Sequence, residues 1–112
     1  MIDQVRPSQL SDWLAQNASD QPVVLDVRDP LELTLARVRP EGFELVHIPM
    51  NELPARLAEL DPQRPLACLC HHGLRSQRVA MFLAHNGFEQ VVNIAGGIDA
   101  WSMERDPGIA QY

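Results

Sequence analysis

A reactive thiol is the chemistry that this sequence offers most clearly. Cys70 follows the apolar run Leu66–Leu69 and opens the segment Cys70-His71-His72-Gly73-Leu74-Arg75-Ser76, after which residues 76–86 have helical spacing. A cysteine between a strand and a helix lies where backbone N–H groups converge on an anion or a thiolate. The helix dipole and a nearby arginine stabilise the same charge. The sequence therefore predicts that Cys70 is a catalytic nucleophile.

The residues that follow Cys70 are predicted to bind the substrate. Gly73 lets the backbone curl without a Cβ penalty, so the amides of the loop can point inward as an anion-binding nest. Arg75 is expected to face the same pocket as a fixed cation. His71 and His72 either tune the thiol and bind substrate or face the solvent, because nothing in the sequence fixes their orientation. The predicted substrate-binding set is His71, His72, Gly73, Leu74, Arg75 and Ser76.

Other roles are open to the cysteines. A lone cysteine is often a small buried hydrophobe, and the glycine and arginine after Cys70 favour reactivity over that reading. Cys68 lies within the apolar run, which favours packing over a resolving-thiol role, and a bridge from Cys68 to Cys70 would be strained. No metal is predicted, because His47 and His85 stand alone and no second cluster of ligands accompanies the loop.

The apolar pattern predicts strands that alternate with helices. Such an order indicates an α/β fold with a central parallel sheet covered on both faces, and sites in such folds form at the carboxyl ends of the strands. Asp26 and Arg28 follow one strand at that edge, where they either frame the site or form an ion pair that holds loops together. The predicted strands are 23–26, 43–48, 65–69 and 90–94. Three helices are predicted over residues 30–39, 76–86 and 98–101. Two more are predicted from their caps: one is capped by Ser8 and runs to about Asn17, and the other is capped by Asn51, contains Leu53, Leu57 and Leu60, and ends at Asp61-Pro62.

Composition limits the classes of function. The 112 residues are 46% hydrophobic and 21% charged, which is typical of one folded domain, here residues 1–112. The formal net charge of -6 argues against nucleic-acid binding and anionic membranes. No leader-like or membrane-spanning segment is evident, so a reduced cytoplasm is the expected location.

The chain resembles a single-domain rhodanese, a sulfurtransferase. The resemblance covers nearly the whole chain and rests on the Cys70 loop and on Gly96-Gly97-Ile98-Asp99-Ala100-Trp101, supported by Leu25-Asp26-Val27-Arg28-Asp29 and His47-Ile48-Pro49. It implies a three-layer fold in which Cys70 carries sulfur as a persulfide. The implied donor is a small anion such as thiosulfate, and the implied acceptor is cyanide or a thiol, either of a small molecule or of a protein. No cofactor is implied. The segment 37–46 departs from the family pattern, which leaves the donor preference open.

Two other functions remain open at this point. A phosphatase or arsenate reductase of the related fold also uses a Cys…Arg loop at the start of a helix, but its loop has one more residue than the four between Cys70 and Arg75. A persulfide-relay or binding module for a dedicated partner protein is the other alternative. Such modules often lose the cysteine, whereas this chain retains Cys70.

Overall fold

A five-stranded parallel sheet forms the centre of the computed structural model, which describes residues 1–112. Its strands are β1 (Asp3–Val5), β2 (Val23–Asp26), β3 (Glu44–His47), β4 (Leu66–Leu69) and β5 (Val91–Ile94). Their order across the sheet is β1-β5-β4-β2-β3, and every neighbouring pair is parallel. The central strands β2 and β4 are buried at every position, as expected for a sheet covered on both faces.

Helices cover both faces of the sheet. The α-helices are α1 (Leu10–Gln16), α2 (Pro30–Leu35), α3 (Leu74–His85) and α4 (Gly97–Glu104), and 3₁₀ helices span Pro7–Gln9, Ala18–Asp20 and Met50–Glu59. One apolar core packs α3 and the 3₁₀ helix 50–59 against one face, and a second core packs α1 and α4 against the other. The predicted α/β fold, three layers with a central parallel sheet, is therefore confirmed. None of the helices combines the length and the apolar character needed to cross a membrane.

The predicted caps of two helices are wrong. Ser8 does not cap α1, because Pro7 starts a 3₁₀ turn and α1 follows only at Leu10. Asn51 caps no α-helix, because residues 50–59 form a 3₁₀ helix that begins after Pro49 and contains Pro54. Proline has no N–H and its ring clashes with the carbonyl four residues earlier, which favours the tighter 3₁₀ form.

The other predicted elements are present with shifted ends. Helix α2 stops at Leu35 rather than at Arg39, whereas α4 continues to Glu104. Helix α3 begins at Leu74, two residues before the predicted start, and ends beside Asn86-Gly87 as expected. The sequence did not indicate β1, because three residues of an edge strand carry too little alternation to be seen. Phe88 and Trp101 are buried, one in each of the two apolar cores.

Candidate active site

The Cys70 loop joins the carboxyl end of β4 to the start of α3. Cys70 is 1% exposed and its Sγ lies at the base of the loop. Gly73, with a φ of 101°, caps α3 and donates its N–H to Sγ at 3.0 Å. A non-glycine residue would be strained at this φ, so Gly73 is required for the turn that brings an amide to the sulfur. The structure thus places a hydrogen-bond donor against Cys70, as the loop pattern predicted.

Ser76 makes a second contact with the cysteine. Its Oγ lies 3.2 Å from Cys70 Sγ and 2.6 Å from Asn93 Oδ1. The amide nitrogen of Asn93 donates to the Gly73 carbonyl and to Gln4 Oε1, so its oxygen must face Ser76. A hydroxyl has one proton, which it gives either to Asn93 or to the sulfur. When the sulfur is anionic, Ser76 can turn its proton from Asn93 to Sγ.

Removal of this hydroxyl is expected to slow the reaction of Cys70. In Ser76→Ala the anionic sulfur loses a donor, and hydrogen bonds to charged groups are strong enough that the rate constant for alkylation of Cys70 at neutral pH should fall about tenfold. Measurement of the rate of reaction with iodoacetamide checks this. The exposed Ser11, bonded to Arg105, serves as the control because Ser11→Ala should leave the rate unchanged. Equal rates in the two variants would mean that the Ser76 hydroxyl does not assist the reaction of Cys70.

The start of α4 holds the other side of the loop. The N–H groups of Ile98 and Asp99 donate to the carbonyls of Cys70 and His71, at 2.9 and 3.1 Å. Gly97 passes so close that a Cβ there would lie 2.5 Å from the Cys70 carbonyl oxygen. The Gly-Gly turn therefore aligns the loop carbonyls with the amino end of α4, which leaves the amino end of α3 for the sulfur.

Arg75, which the sequence predicted to face the pocket as a fixed cation, is paired with a carboxylate. Its guanidinium binds Glu32 of α2 at two points, Nη1 to Oε1 at 2.7 Å and Nη2 to Oε2 at 2.9 Å. The Tyr112 hydroxyl also donates to Glu32 Oε2, at 2.5 Å. The pKa of Arg75 is raised first by the hydrogen bonds to Glu32 and also by the charge of Cys70. Arg75 is thus near enough to interact with Cys70, but its charge is balanced by a carboxylate.

The Glu32–Arg75 pair predicts how stability depends on pH. Hydrogen bonds from Arg75 lower the pKa of Glu32 from 4.5 to about 2. The unfolded chain therefore binds more protons than the folded chain between these values, and stability is lost as the pH falls from 4.5 towards 2. After allowance for solvent screening, the contribution that disappears is about 1–2 kcal/mol. The free energies of unfolding of the native chain and Glu32→Gln should differ at pH 6 and converge near pH 2. A gap independent of pH would contradict the ionic origin.

Asp26 and Arg28 form a buried ion pair beside this network. Arg28 Nε and Nη2 bind the two oxygens of Asp26 at 3.0 and 2.8 Å, and both side chains are at most 2% exposed. Arg28 Nη1 also donates to the Tyr112 hydroxyl at 3.1 Å. His47 Nε2 lies 2.7 Å from the Arg28 carbonyl oxygen, which gives that histidine a structural role. The pair thus holds neighbouring loops, and it reaches the site through Tyr112 and through a 3.4 Å hydrogen bond from Arg28 Nη1 to the Glu32 carbonyl oxygen.

The two histidines of the loop are stacked. The His71 ring lies between those of His72 and Tyr112, with centroids 3.8 Å apart in both cases. Burial, and secondly the charge of His72, lowers the pKa of His71, so its imidazole is neutral at pH 7. His71 Nε2 is buried without a hydrogen-bond partner. His71 therefore forms part of the wall of the loop, whereas His72 is exposed.

These histidines could hold a cation only after a rearrangement. Ligand atoms of His71, His72 and Asp99 lie within 4.8 Å of one another. A metal ion lies in the plane of each imidazole that binds it, but the two rings are stacked with only 26° between their planes. Because a single ion cannot lie in both planes, we propose no metal here.

Cys68 has the environment of a core residue. It is 0% exposed, lies two residues before Cys70, and belongs to the same apolar cluster. Burial, followed by the charge of Cys70, raises the pKa of Cys68. These features favour the predicted packing role over that of a resolving thiol.

Three residues of the site had no recognisable signal in the sequence. Glu32 was visible only as part of a short helix, Asn93 as part of a strand and Tyr112 as part of an irregular tail. Glu32 and Asn93 could have been suspected, because each lies in an element adjoining the carboxyl edge of the sheet. Tyr112 could not, because nothing in residues 106–112 indicates a contact with the loop.

Known proteins resemble this chain in sequence and in fold. The family model described as rhodanese-like domain matches residues 10–104. A protein of Allochromatium vinosum named Sulfurtransferase is 29% identical over 110 residues, which are 98% of this chain and 97% of that protein. The rhodanese-like/PpiC domain-containing protein 12, chloroplastic, of Arabidopsis thaliana is 36% identical over 97 residues, which are 83% of this chain but 31% of that protein. The crystal structure of a rhodanese-related protein from Thermoplasma volcanium has a TM-score of 0.76 at 28% identity and covers 98% of this chain and 99% of its own.

Proposed function

Because the chain belongs to the rhodanese-like domain family, we propose that it transfers a sulfane sulfur from a donor to a thiophilic acceptor through a persulfide on Cys70. Relatives named as sulfurtransferases support the class of reaction. The observation that carries the role of Cys70 is the position of its Sγ, 3.0 Å from the Gly73 N–H at the carboxyl end of β4 and the amino end of α3. This is the one cysteine of the chain with such a donor.

The first half-reaction loads the cysteine. The Cys70 thiolate attacks the outer sulfur of the donor, an Sγ–S bond forms, and the sulfur–sulfur bond of the donor breaks with its electron pair leaving on the remainder of the donor. With thiosulfate as donor, that remainder is sulfite. The first N–H groups of α3 have no partner within the helix, so they can bind the negative charge on the outer sulfur of the persulfide.

The second half-reaction removes the sulfur from Cys70. A thiolate or cyanide attacks the outer sulfur, the Sγ–S bond breaks, and its electron pair returns to Cys70. The acceptor leaves as a persulfide or as thiocyanate. Leu74, which is 78% exposed within the loop, presents an apolar side chain to an approaching molecule. This exposure is compatible with an acceptor thiol on a protein, and relay to such a protein is the alternative form of the same function.

The geometry disfavours a phosphatase. Phosphoryl transfer needs a cation that stabilises the equatorial oxygens, and in this chain the loop arginine is bound at two points to Glu32. The loop is also one residue shorter than the phosphatase pattern. Both features fit a single sulfur atom better than a tetrahedral phosphoryl group.

Mass spectrometry of the intact protein tests the proposal. After incubation with thiosulfate or with cysteine persulfide, the chain should gain the mass of one sulfur atom, peptide mapping should place it on Cys70, and cyanide should then release thiocyanate. Para-nitrophenyl phosphate serves as the competing substrate. Absence of sulfur on Cys70 with both donors, together with hydrolysis of the phosphate ester, would overturn the proposal in favour of a phosphatase.

A further inference from the structure

Arg75, the cation of the loop, is bound by a carboxylate that other hydrogen bonds hold in place. Glu32 accepts two hydrogen bonds from Arg75, one from the Tyr112 hydroxyl and one from the N–H of Asp29 at 3.1 Å. The side chain of Glu32 is 15% exposed, so this carboxylate is largely withdrawn from water. Separation of Arg75 from Glu32 would leave a partly buried charge with fewer partners, which is unfavourable.

Tyr112 is itself fixed. Its hydroxyl donates to Glu32 and accepts from Arg28, and its ring is stacked on that of His71. Burial raises the pKa of Tyr112 to about 12, so the phenol keeps the proton that it gives to Glu32. Glu32 is therefore held from the tail as well as from α3, and it cannot swing away from Arg75 without disturbing both contacts.

Little uncompensated positive charge is left near the loop. His71 is neutral and packed between two rings. Leu74 and Leu31, which adjoin Arg75 and Glu32 in the sequence, expose apolar side chains, at 78% and 72%. Arg78 is exposed one turn further along α3 and takes part in no ion pair, so it lies beyond the loop itself. The surroundings of Cys70 therefore suit a reacting group of low charge.

The two classes of donor differ in the charge that they bring. Thiosulfate is a dianion, and its reaction with the Cys70 thiolate gathers three negative charges and expels sulfite as a dianion. A thiol persulfide carries one negative charge when ionised, as R–S–S⁻, and none as R–S–SH. When R–S–SH reacts, the Sγ–S bond forms, the S–S bond breaks, and the electron pair leaves with the thiolate R–S⁻. At most two negative charges meet at Cys70 with this donor, against three with thiosulfate, so its reaction depends less on a free cation.

We propose that Glu32 is a specificity-determining residue that neutralises Arg75 and makes thiol persulfides, rather than thiosulfate, the preferred sulfur donors of this chain. The inference rests on the proposed transfer through Cys70. It follows from the two-point pairing of Glu32 with Arg75 and from the third contact with Tyr112. Release of Arg75 should therefore shift the preference towards thiosulfate, the donor with the larger negative charge.

The experiment compares second-order rate constants for loading of Cys70 by thiosulfate, which is a dianion, and by cysteine persulfide, whose net charge is at most -1. The native chain should react faster with cysteine persulfide. In Glu32→Gln the ratio of the thiosulfate to the persulfide rate constant should rise about tenfold, because a charged hydrogen-bond donor becomes available to the sulfonate. A ratio is used because partial loss of folded protein lowers both rates equally.

Two further variants separate charge release from general disturbance. In the double variant Glu32→Gln, Arg75→Gln the gain should vanish, because the guanidinium that produces it is absent. Glu44 is the matched control, since it pairs with Arg64 at the opposite edge of the sheet, and Glu44→Gln should leave the ratio unchanged.

A third donor, persulfidated serum albumin, distinguishes the sources of persulfide. Faster loading than by cysteine persulfide identifies protein-bound persulfides as the preferred source, and slower loading identifies free ones.

The outcomes distinguish this inference from the function on which it rests. Equal use of the two small donors by the native chain, or an unchanged ratio in Glu32→Gln, overturns the role of Glu32 while the Cys70 persulfide stands. Absence of loading from every donor overturns the sulfur transfer itself, and the inference with it.

Discussion

Cys70→Ser is expected to retain the fold and to lose all sulfur transfer. Serine is nearly isosteric and can still accept the Gly73 N–H, so the loop should keep its shape. A hydroxyl oxygen cannot carry a sulfane sulfur, because an alkoxide neither forms readily near neutral pH nor gives a stable product with sulfur. The measurement is the mass gain of the intact chain after exposure to donor, with thiocyanate release as the second readout, and both should fall to background.

Cys68 provides the matched control for this experiment. It lies two residues before Cys70, is fully buried, and packs in the apolar core. Cys68→Ala should lower the free energy of unfolding by about 1 kcal/mol through the small cavity that it leaves, and should still load one sulfur per chain. If Cys68→Ala lost loading and Cys70→Ser retained it, the persulfide would form on Cys68 and not on Cys70.

The parts of the fold that depend on local pattern could be predicted from the sequence. Runs such as Val23–Leu25 and Leu66–Leu69 are fully apolar, and a strand buried on both faces is the arrangement that such a run favours. Parallel pairing then brings the ends of these strands to one edge. The position of Cys70 at that edge followed from this reasoning, as did the need for Gly73.

The charge of the site could not be predicted in the same way. Arg75 and Glu32 are 43 positions apart, and Tyr112 is 80 positions from Glu32. Periodicity does not indicate which carboxylate a guanidinium contacts over such a separation, so the sequence did not show that Arg75 has a partner. The 3₁₀ geometry of residues 50–59 escaped prediction for a related reason, because the apolar spacing of Leu53, Leu57 and Leu60 is the same signal that an α-helix would produce.

Gly97→Ala is expected to be the most disruptive change outside Cys70. A Cβ at this position would lie 2.4 Å from the His71 carbonyl oxygen and 2.5 Å from that of Cys70, and both atoms belong to the backbone. The φ of 60° adds the strain of a left-handed alanine. Overpacking typically costs about 1–3 kcal/mol, and contacts this short place Gly97→Ala at the upper end of that range. With about 1 kcal/mol for the left-handed conformation, the free energy of unfolding should fall by about 4 kcal/mol. Urea denaturation measures this loss.

The variant Gly87→Ala separates the cost of the left-handed backbone from the cost of overpacking. Its φ of 89° is also left-handed, but a Cβ there meets nothing within 4 Å, so Gly87→Ala should lose only about 1 kcal/mol from backbone strain. The close approach at Gly97 also positions Cys70, because the N–H groups of Ile98 and Asp99 hold the loop carbonyls. Displacement of the loop by the methyl group should therefore slow sulfur loading about 100-fold in the folded fraction of Gly97→Ala, whereas Gly87→Ala should load at the native rate. Equal stability and equal loading in the two variants would mean that the loop adapts to the methyl group, and that the Gly-Gly turn does not set the position of the sulfur.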